Sequence, residues 1–313
     1  MFGSKVGRFK CAASSAIFRR GTRAAAEITK SIHERLFEGM SEITYVLVMG
    51  LQSELAIAVE IAQQSGRLLL EYYGTERVST RAKGRHDVVT AVDTASEDLI
   101  LERLRAAFPG DGIVAEEGSE VEARANRRWY LDPLDGTFNY SRGVPFWCVS
   151  LALFQGDEPL LGVVHDPTRG ETFRAARGLG AWLNEEPIRC SGASEPSSAV
   201  LHLTVELLDD GPPQGLADLN VLAPHILRTR NTGSAALALA YVAAGRFDAM
   251  LHRFAHTWDF GAGMLLVQEA GGSASDVYGG RYSEATSAVL AAATERLHSG
   301  LLELLHMQSN RVK

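Results

Sequence analysis

The stretch Trp129-Tyr130-Leu131-Asp132-Pro133-Leu134-Asp135-Gly136-Thr137 constrains this chain more than any other. Trp129, Tyr130 and Leu131 read as the end of a buried strand. Pro133 and Gly136 then force a tight turn, because one removes a ladder donor and the other admits backbone angles most residues avoid. Asp132 and Asp135 are left three apart on that turn, and Thr137 adds a hydroxyl. Two carboxylates so placed make a preformed site for a hard cation such as magnesium or calcium. The same residues also suit an ordinary Asp-Pro-x-Asp-Gly surface turn, and the stretch alone leaves both readings open.

The surrounding pattern predicts a mixed α and β chain. Leu55, Ala56, Val59, Ile61, Ala62, Leu68 and Leu69 recur near the helical period, predicting a helix from Leu51 to Tyr73 with Gly74 as its stop. Residues 83–87 form a polar loop, and residues 88–92 a short apolar run that Asp93 follows directly. Thr94 or Ser96 is placed to cap the next helix. Ile113-Val114-Ala115 reads as a strand ending at Glu116, and residues 119–127 as a charged loop. Strands are predicted at 149–154, 162–165, 172–175, 180–183, 199–204, 247–251, 275–277 and 288–292. Helices are predicted at 235–244, 261–270 and 295–306, and residues 209–213 as a loop. Residues 184–198, with Pro187, Gly192 and Pro196, suggest a boundary between an N-terminal half (51–190) and a C-terminal half (199–306) of one catalytic unit. Interleaved strands and helices imply layered sheets and helices.

Residues 1–49 differ in character. The first 26 contain Lys5, Arg8, Lys10, Arg19, Arg20 and Arg23 and no acid. This composition suits an organelle transit peptide, or else an upstream extension with translation starting at Met40 or Met49. Either way the segment is expected to lie outside the catalytic fold, with a cytoplasmic protein as the default and an organelle as the alternative. The net charge of −7 argues against a nucleic-acid partner, and no run approaches the ~18 apolar residues of a membrane span. Cys11, Cys148 and Cys190 are too few and too scattered for a disulfide framework or a zinc site, and Cys148, in an apolar run, reads as core.

Asp93, Glu116, Asp132, Asp135 and Asp259 share one setting: each lies where an apolar run meets a turn or helix start. Layered α/β proteins put their sites at such junctions. Any one of these acids could instead cap a helix, Asp259 especially. If they converge, their repulsion calls for two or three divalent cations, and an all-oxygen set fits Mg²⁺. Such a cluster suits hydrolysis of a phosphate ester by a metal-activated water.

These residues also carry a resemblance. Val-Thr-Ala-Val-Asp (89–93), Glu-Glu-Gly (116–118), Asp-Pro-Leu-Asp-Gly-Thr-Phe-Asn-Tyr (132–140), Trp-Asp-Phe-Gly-Ala-Gly (258–263) and Glu-Ala-Gly-Gly (269–272) resemble the inositol monophosphatase family, Mg²⁺-dependent and commonly lithium-sensitive phosphatases. The resemblance spans roughly residues 51–306 and implies an α+β fold, a layered α-β-α-β-α sandwich, and a homodimer. It implies that Glu116, Asp132, Asp135 and the carbonyl of Leu134 hold a first metal, and Asp132, Asp135 and Asp259 a second. Asp93 and Glu116 match the pair for a weaker third ion. Glu116 and Thr137 would orient the attacking water, with Asp93 hydrogen-bonded to Thr137. The amides of Gly136 and Thr137 would hold the phosphate, and Gly233-Ser234-Ala235 would contact the alcohol part. Lys83 matches a loop lysine near the metals, with spacing to Asp93 one residue short of the pattern.

One position departs from the resemblance. Seven residues before Asp259, inositol-specific members usually carry a glutamate that accepts from ring hydroxyls; here stands His252, followed by Arg253. An imidazole lacks the carboxylate's paired acceptors. His252 is either a substrate contact or a strand-end histidine facing solvent. Inositol monophosphate is the first expectation for the substrate; histidinol phosphate, fructose 1,6-bisphosphate and a nucleotide 3′-phosphate are the alternatives, and a non-catalytic magnesium-binding protein is a third class. Asp259-Phe260-Gly261 imitates the kinase metal tripeptide, but Phe254 stands where the catalytic aspartate belongs and no Gly-rich loop opens the chain. There is no second Asp-Gly-Thr-like segment for an aspartic protease and no Gly-x-Ser-x-Gly elbow.

Overall fold

A computed structural model describes residues 42–75, 80–82, 88–124, 126–205 and 214–309. Most of the N-terminal extension, Cys11, Lys83 and the loops at 83–87 and 209–213 lie outside the described residues. The chain divides into two units, residues 1–50 and 51–313. In the first, the described part is the opening of helix α1 (Glu42–Tyr72), which begins earlier than Leu51.

The second unit is built on two sheets. After α1 come the hairpin β1 (Thr80–Ala82) and β2 (Val88–Thr90), then helix α2 (Ala91–Ala107). Strands β3 (Gly112–Ala115), β4 (Glu120–Val121) and β5 (Arg127–Asp135) follow, then the short helix α3 (Thr137–Ser141). Strands β6 (Cys148–Gln155), β7 (Glu158–Asp166), β8 (Glu171–Ala176), β9 (Gly180–Leu183) and β10 (Glu186–Pro187) complete an eight-stranded sheet in the order β10-β9-β8-β7-β6-β5-β3-β4. Its pairs are antiparallel except β3 with β5.

The C-terminal half supplies β11 (Val200–Leu203), α4 (Gln214–Leu222), β12 (Arg228–Arg230), α5 (Ala235–Ala243), β13 (Ala249–His252), α6 (Thr257–Glu269), β14 (Ser273–Asp276), β15 (Val289–Ala292) and α7 (Glu295–Ser309). Its five strands run β12-β11-β13-β15-β14, parallel from β12 to β13 and antiparallel beyond.

Side-chain alternation turns these sheets into layers. Along β6, Val149, Leu151 and Leu153 pack with Leu55, Ile61 and Leu69 of α1 and Ile100 and Leu104 of α2. Cys148, Ala152 and Phe154 point the other way, into a core shared with α5 and α6. Met250, Val289 and Ala291 of the second sheet close that core from its far side. Leu201, Leu203, Leu251 and Leu290 face outward onto Leu222 of α4 and Leu297 and Leu301 of α7. The order is helix, sheet, helix, sheet, helix, the α-β-α-β-α sandwich.

The middle layer explains the composition of its helices. A helix between two sheets is buried all round, so α5 reads Ala-Ala-Leu-Ala-Leu-Ala-Tyr-Val-Ala and α6 is buried from Phe260 to Val267. Close approach demands small residues. A Cβ on Gly263 would collide with the Leu239 side chain, and one on Gly162 of β7 would sit 2.7 Å from the backbone of Ala262.

Three local expectations are corrected. Helix α2 starts at Ala91, so Asp93, Thr94 and Ser96 lie inside its first turns and neither Thr94 nor Ser96 is its cap. Residues 120–121 of the expected charged loop pair with β3 as an edge strand. Asp259 is the third residue of α6, and His256 is the N-cap. Cys148 is fully buried, in line with its core reading, and Cys190 is partly buried.

Candidate active site

A bulge creates the site. In the β5–β6 ladder Asp132 faces Ser150 and Asp135 faces Cys148, so three steps along β5 match two along β6. In a regular strand, residues three apart point to opposite faces; the extra residue turns both carboxylates to the same one. Pro133, which has no N–H to lose from the ladder, lies within the bulge. The predicted tight turn is thus a strand irregularity followed by Gly136, whose φ of 96° ends the strand. A Cβ on Gly136 would lie 3.1 Å from the carbonyl oxygens of Gly233 and Phe146.

Around this turn the chain ends of other elements gather. The Asp132 carboxyl is held well above the ordinary range, first by burial and then by the charges of Glu116, Asp135 and Asp259. It shares a hydrogen bond with Glu116, and its Oδ1 accepts from the Leu134 N–H at 2.8 Å. Asp135 is pushed up to about 6 by burial; the Ser234 hydroxyl opposes that rise and the Asp259 charge adds to it. Asp135 also joins the two halves. It accepts from Ser234 Oγ at 2.5 Å, Ala236 N at 2.7 Å and Ala235 N at 3.2 Å, capping α5 from another layer. The Thr137 hydroxyl lies 3.1 Å from Asp93 Oδ1 and 3.0 Å from the Leu134 carbonyl. With its proton drawn to these acceptors, its lone pairs are left for a donor such as water.

Asp259 reaches the cluster through the start of α6. Its carboxylate accepts from the His256 N–H at 2.6 Å, and the Trp258 carbonyl accepts from Ser150 Oγ at 3.0 Å, beside Asp132. Glu116, Asp132, Asp135 and Asp259 are therefore brought together, and Asp93 and Thr137 adjoin them. The donor set is all hard oxygen and strongly anionic, with Asp132 and Asp135 buried and Glu116 and Asp259 partly so, which fits a divalent cation such as Mg²⁺. Among the described residues no group of three or more His, Cys, Asp or Glu is spaced to hold an ion as it stands.

Of the two alternatives for His252, the solvent-facing one is corrected. The residue ends β13, is buried, and its Nδ1 accepts the Phe254 N–H at 3.2 Å, so it does not face solvent. Its neighbour Arg253 forks onto the buried Asp218 of α4 with two 2.8 Å bonds. Gly233, with φ of 75°, and Ser234 lie beside Asp135.

Several supports were missed by sequence reading. Glu97, buried one helical turn after Asp93, accepts the Glu117 N–H at 3.1 Å and holds the Glu116 turn. Ser96 Oγ bonds the Pro133 carbonyl at 3.1 Å and Ser65 at 2.6 Å, fastening the bulge to α1 and α2. Asn139 Nδ2 spans the carbonyls of Phe146 and Thr232, both at 2.7 Å. The i, i+4 spacing of Asp93 and Glu97 was the one available signal.

Comparison with known proteins adds to this geometry. A family model described as the inositol monophosphatase family matches residues 51–310. The Nus factor SuhB of Xylella fastidiosa is 40% identical over 225 residues, 71% of this chain and 82% of that protein. The inositol-1-monophosphatase of Mesorhizobium japonicum is 36% identical over 230 residues, 72% of this chain and 86% of that protein. The solved structure of the extragenic suppressor protein suhB from Bartonella henselae superposes with a TM-score of 0.77 at 34% identity, covering 81% of this chain and 98% of that one.

Proposed function

This chain belongs to the inositol monophosphatase family, a family of phosphoric monoester hydrolases, and we propose that it hydrolyses a small phosphorylated alcohol in a Mg²⁺-dependent reaction. The observation that carries the reading is the cluster in which Glu116 and Asp259 flank the buried Asp132 and Asp135, whose carboxyls are raised by burial and by neighbouring carboxylate charge, so that the group calls for cationic charge. Mg²⁺ bound by these residues would supply Lewis acidity toward the phosphate and acidify a water. The chain's own groups then do the positioning. Thr137, its proton directed to Asp93 and Leu134, accepts a hydrogen bond from the attacking water and points the water's lone pair at phosphorus. Glu116, hydrogen-bonded to Asp132, is the second group set to orient that water. Attack is direct, without a phosphoenzyme. By family analogy the enzyme is a lithium-sensitive homodimer.

Inositol monophosphate is the first candidate substrate, and His252 is the reason to test others. The measurement is a panel of inositol, histidinol, sugar and nucleotide phosphates with Mg²⁺, with and without Li⁺. For His252→Glu we expect kcat/KM on inositol monophosphate to rise about tenfold relative to the other esters, the size of one good polar contact. An unchanged ranking would remove residue 252 from the specificity argument.

A second reading rests on the name of the Xylella relative, Nus factor: a role apart from hydrolysis. It predicts that Asp132→Asn still complements a deletion in cells. Failure to complement ties the cellular role to catalysis.

A further inference from the structure

We propose that His202 is a positioning residue that holds the Thr232–Ala235 segment in register with the carboxylate turn. The role rests on the phosphatase reading above, in which Gly233, Ser234 and Ala235 contact the alcohol part of the substrate.

His202 lies on β11, level with Arg230 of β12 and Met250 of β13. The β11–β12 pairing ends at that level, and from Asn231 the chain leaves the sheet. The Thr232 N–H therefore has no strand partner. It donates instead to His202 Nε2 at 3.1 Å, and the Thr232 hydroxyl lies 2.9 Å from the same nitrogen. A backbone N–H can donate only to an unprotonated ring nitrogen, so the neutral imidazole carries its proton on Nδ1. Burial pushes the ring down to about 3, with the nearby His252 acting in the same direction, so the acceptor at Nε2 is present across the neutral range.

The carbonyl of the same residue is also held. The Thr232 carbonyl accepts from Asn139 Nδ2 at 2.7 Å, and Asn139 belongs to α3, directly after the carboxylate turn. Gly233 follows with φ of 75°, where a Cβ would come within 3.1 Å of Asn139. Ser234 Oγ then bonds Asp135 at 2.5 Å, and the amides of Ala235 and Ala236 bond it too. A continuous line of hydrogen bonds thus runs from β11 to the carboxylate turn, and His202 is its anchor in the second sheet.

A stabilising role alone does not account for a histidine here. His202 Nδ1 is buried and has no hydrogen-bond partner among the described residues. A buried orphan donor costs stability, and a leucine would fill the place without it. Beside stacking on Phe247 with ring centroids 5.9 Å apart, the contribution specific to the imidazole is the acceptor for Thr232.

The test compares His202→Leu, which fills the volume without an acceptor, with His202→Gln, which restores one. Thermal melting, amide hydrogen exchange at Thr232, Ala235 and Ala236, and steady-state kinetics are measured on the full chain. For His202→Leu we expect a melting temperature equal to or above wild type, Thr232 exchange at least about tenfold faster, and KM raised about tenfold with kcat within about threefold. His202→Gln should return exchange and KM to within about threefold of wild type. Unchanged exchange and KM in His202→Leu would overturn the proposal. So would equal losses of melting temperature, protection and KM in both variants, the mark of a merely structural residue. A wild-type protein that hydrolyses no ester sinks the phosphatase reading, and the exchange measurement still decides the role of His202.

Discussion

Replacing Asp132 by Asn lowers turnover by about a thousandfold or more, because a Lewis-acid site contributes several kcal/mol to such chemistry. The same variant, free of metal, is more stable than wild type. The substituted amide keeps the acceptor for the Leu134 N–H and can donate to Glu116, so the local bonds survive. What the substitution removes is a buried charge facing three others. A carboxyl whose folded pKa lies above its unfolded value makes the native state bind more protons than the unfolded chain. Stability then falls as pH rises through the window between the two values. For Asp135 that window runs from 3.8 to about 6, and Asp132 shifts in the same direction. Metal-free wild type and variant should therefore melt together near pH 4 and separate as the pH rises. At pH 7 the variant should be the more stable of the two, the direction set by the raised Asp132 carboxyl. Melting curves with EDTA across this range, and the same curves with Mg²⁺, measure it. Mg²⁺ should raise the wild-type melting temperature and leave Asp132→Asn nearly unmoved. An Asp132→Asn protein that turns over at the wild-type rate would refute the metal assignment.

Gly162→Ala is expected to destabilise the protein by about 3 kcal/mol, at the upper end of overpacking costs. The added methyl meets the backbone of Ala262 at 2.7 Å, and backbone within a helix between two sheets has no rotamer through which to yield. The only relief is to move α6 away from β7. Helix α6 carries Asp259, three residues before Ala262, so its displacement withdraws a carboxylate from the cluster. Loss of stability should therefore come with a higher Mg²⁺ requirement, although Gly162 touches no site residue. Denaturant unfolding gives the first effect, and an activity titration with Mg²⁺ the second. Ordinary stability in Gly162→Ala would mean that the middle layer is looser than its packing shows.

Much of the site was legible in the sequence because it sits at the ends of elements. An apolar run that stops at an acid announces a strand end, and Pro133 and Gly136 mark an interruption whatever lies around them. The layer arrangement followed from the resemblance and from the interleaving of the elements, and the family match supports it. The local errors have a common origin. Thr94, Ser96 and Asp259 are all good capping residues, but a cap is chosen by where the helix backbone begins, and that depends on the strand entering it. His252 was expected either to face solvent or to touch substrate. Its burial depends on how the surrounding elements pack around the end of β13, and no local pattern encodes that.

The sequence by itself determined the donor types on offer: five acids where apolar runs meet turns or helix starts, all oxygen, with no cysteine or histidine among them, and a hydroxyl beside two of them. Residue type and local backbone preference suffice for that, because they act over a few residues. Only the tertiary structure decided how those acids are used. The bulge that turns Asp132 and Asp135 to one face is a matter of register against β6. The capping of α5 by Asp135 joins residues about a hundred positions apart, and the hold of His202 on Thr232 joins β11 to the loop that follows β12. Register, burial and long-range hydrogen bonds depend on which surfaces meet, and those surfaces exist only once the layers have stacked.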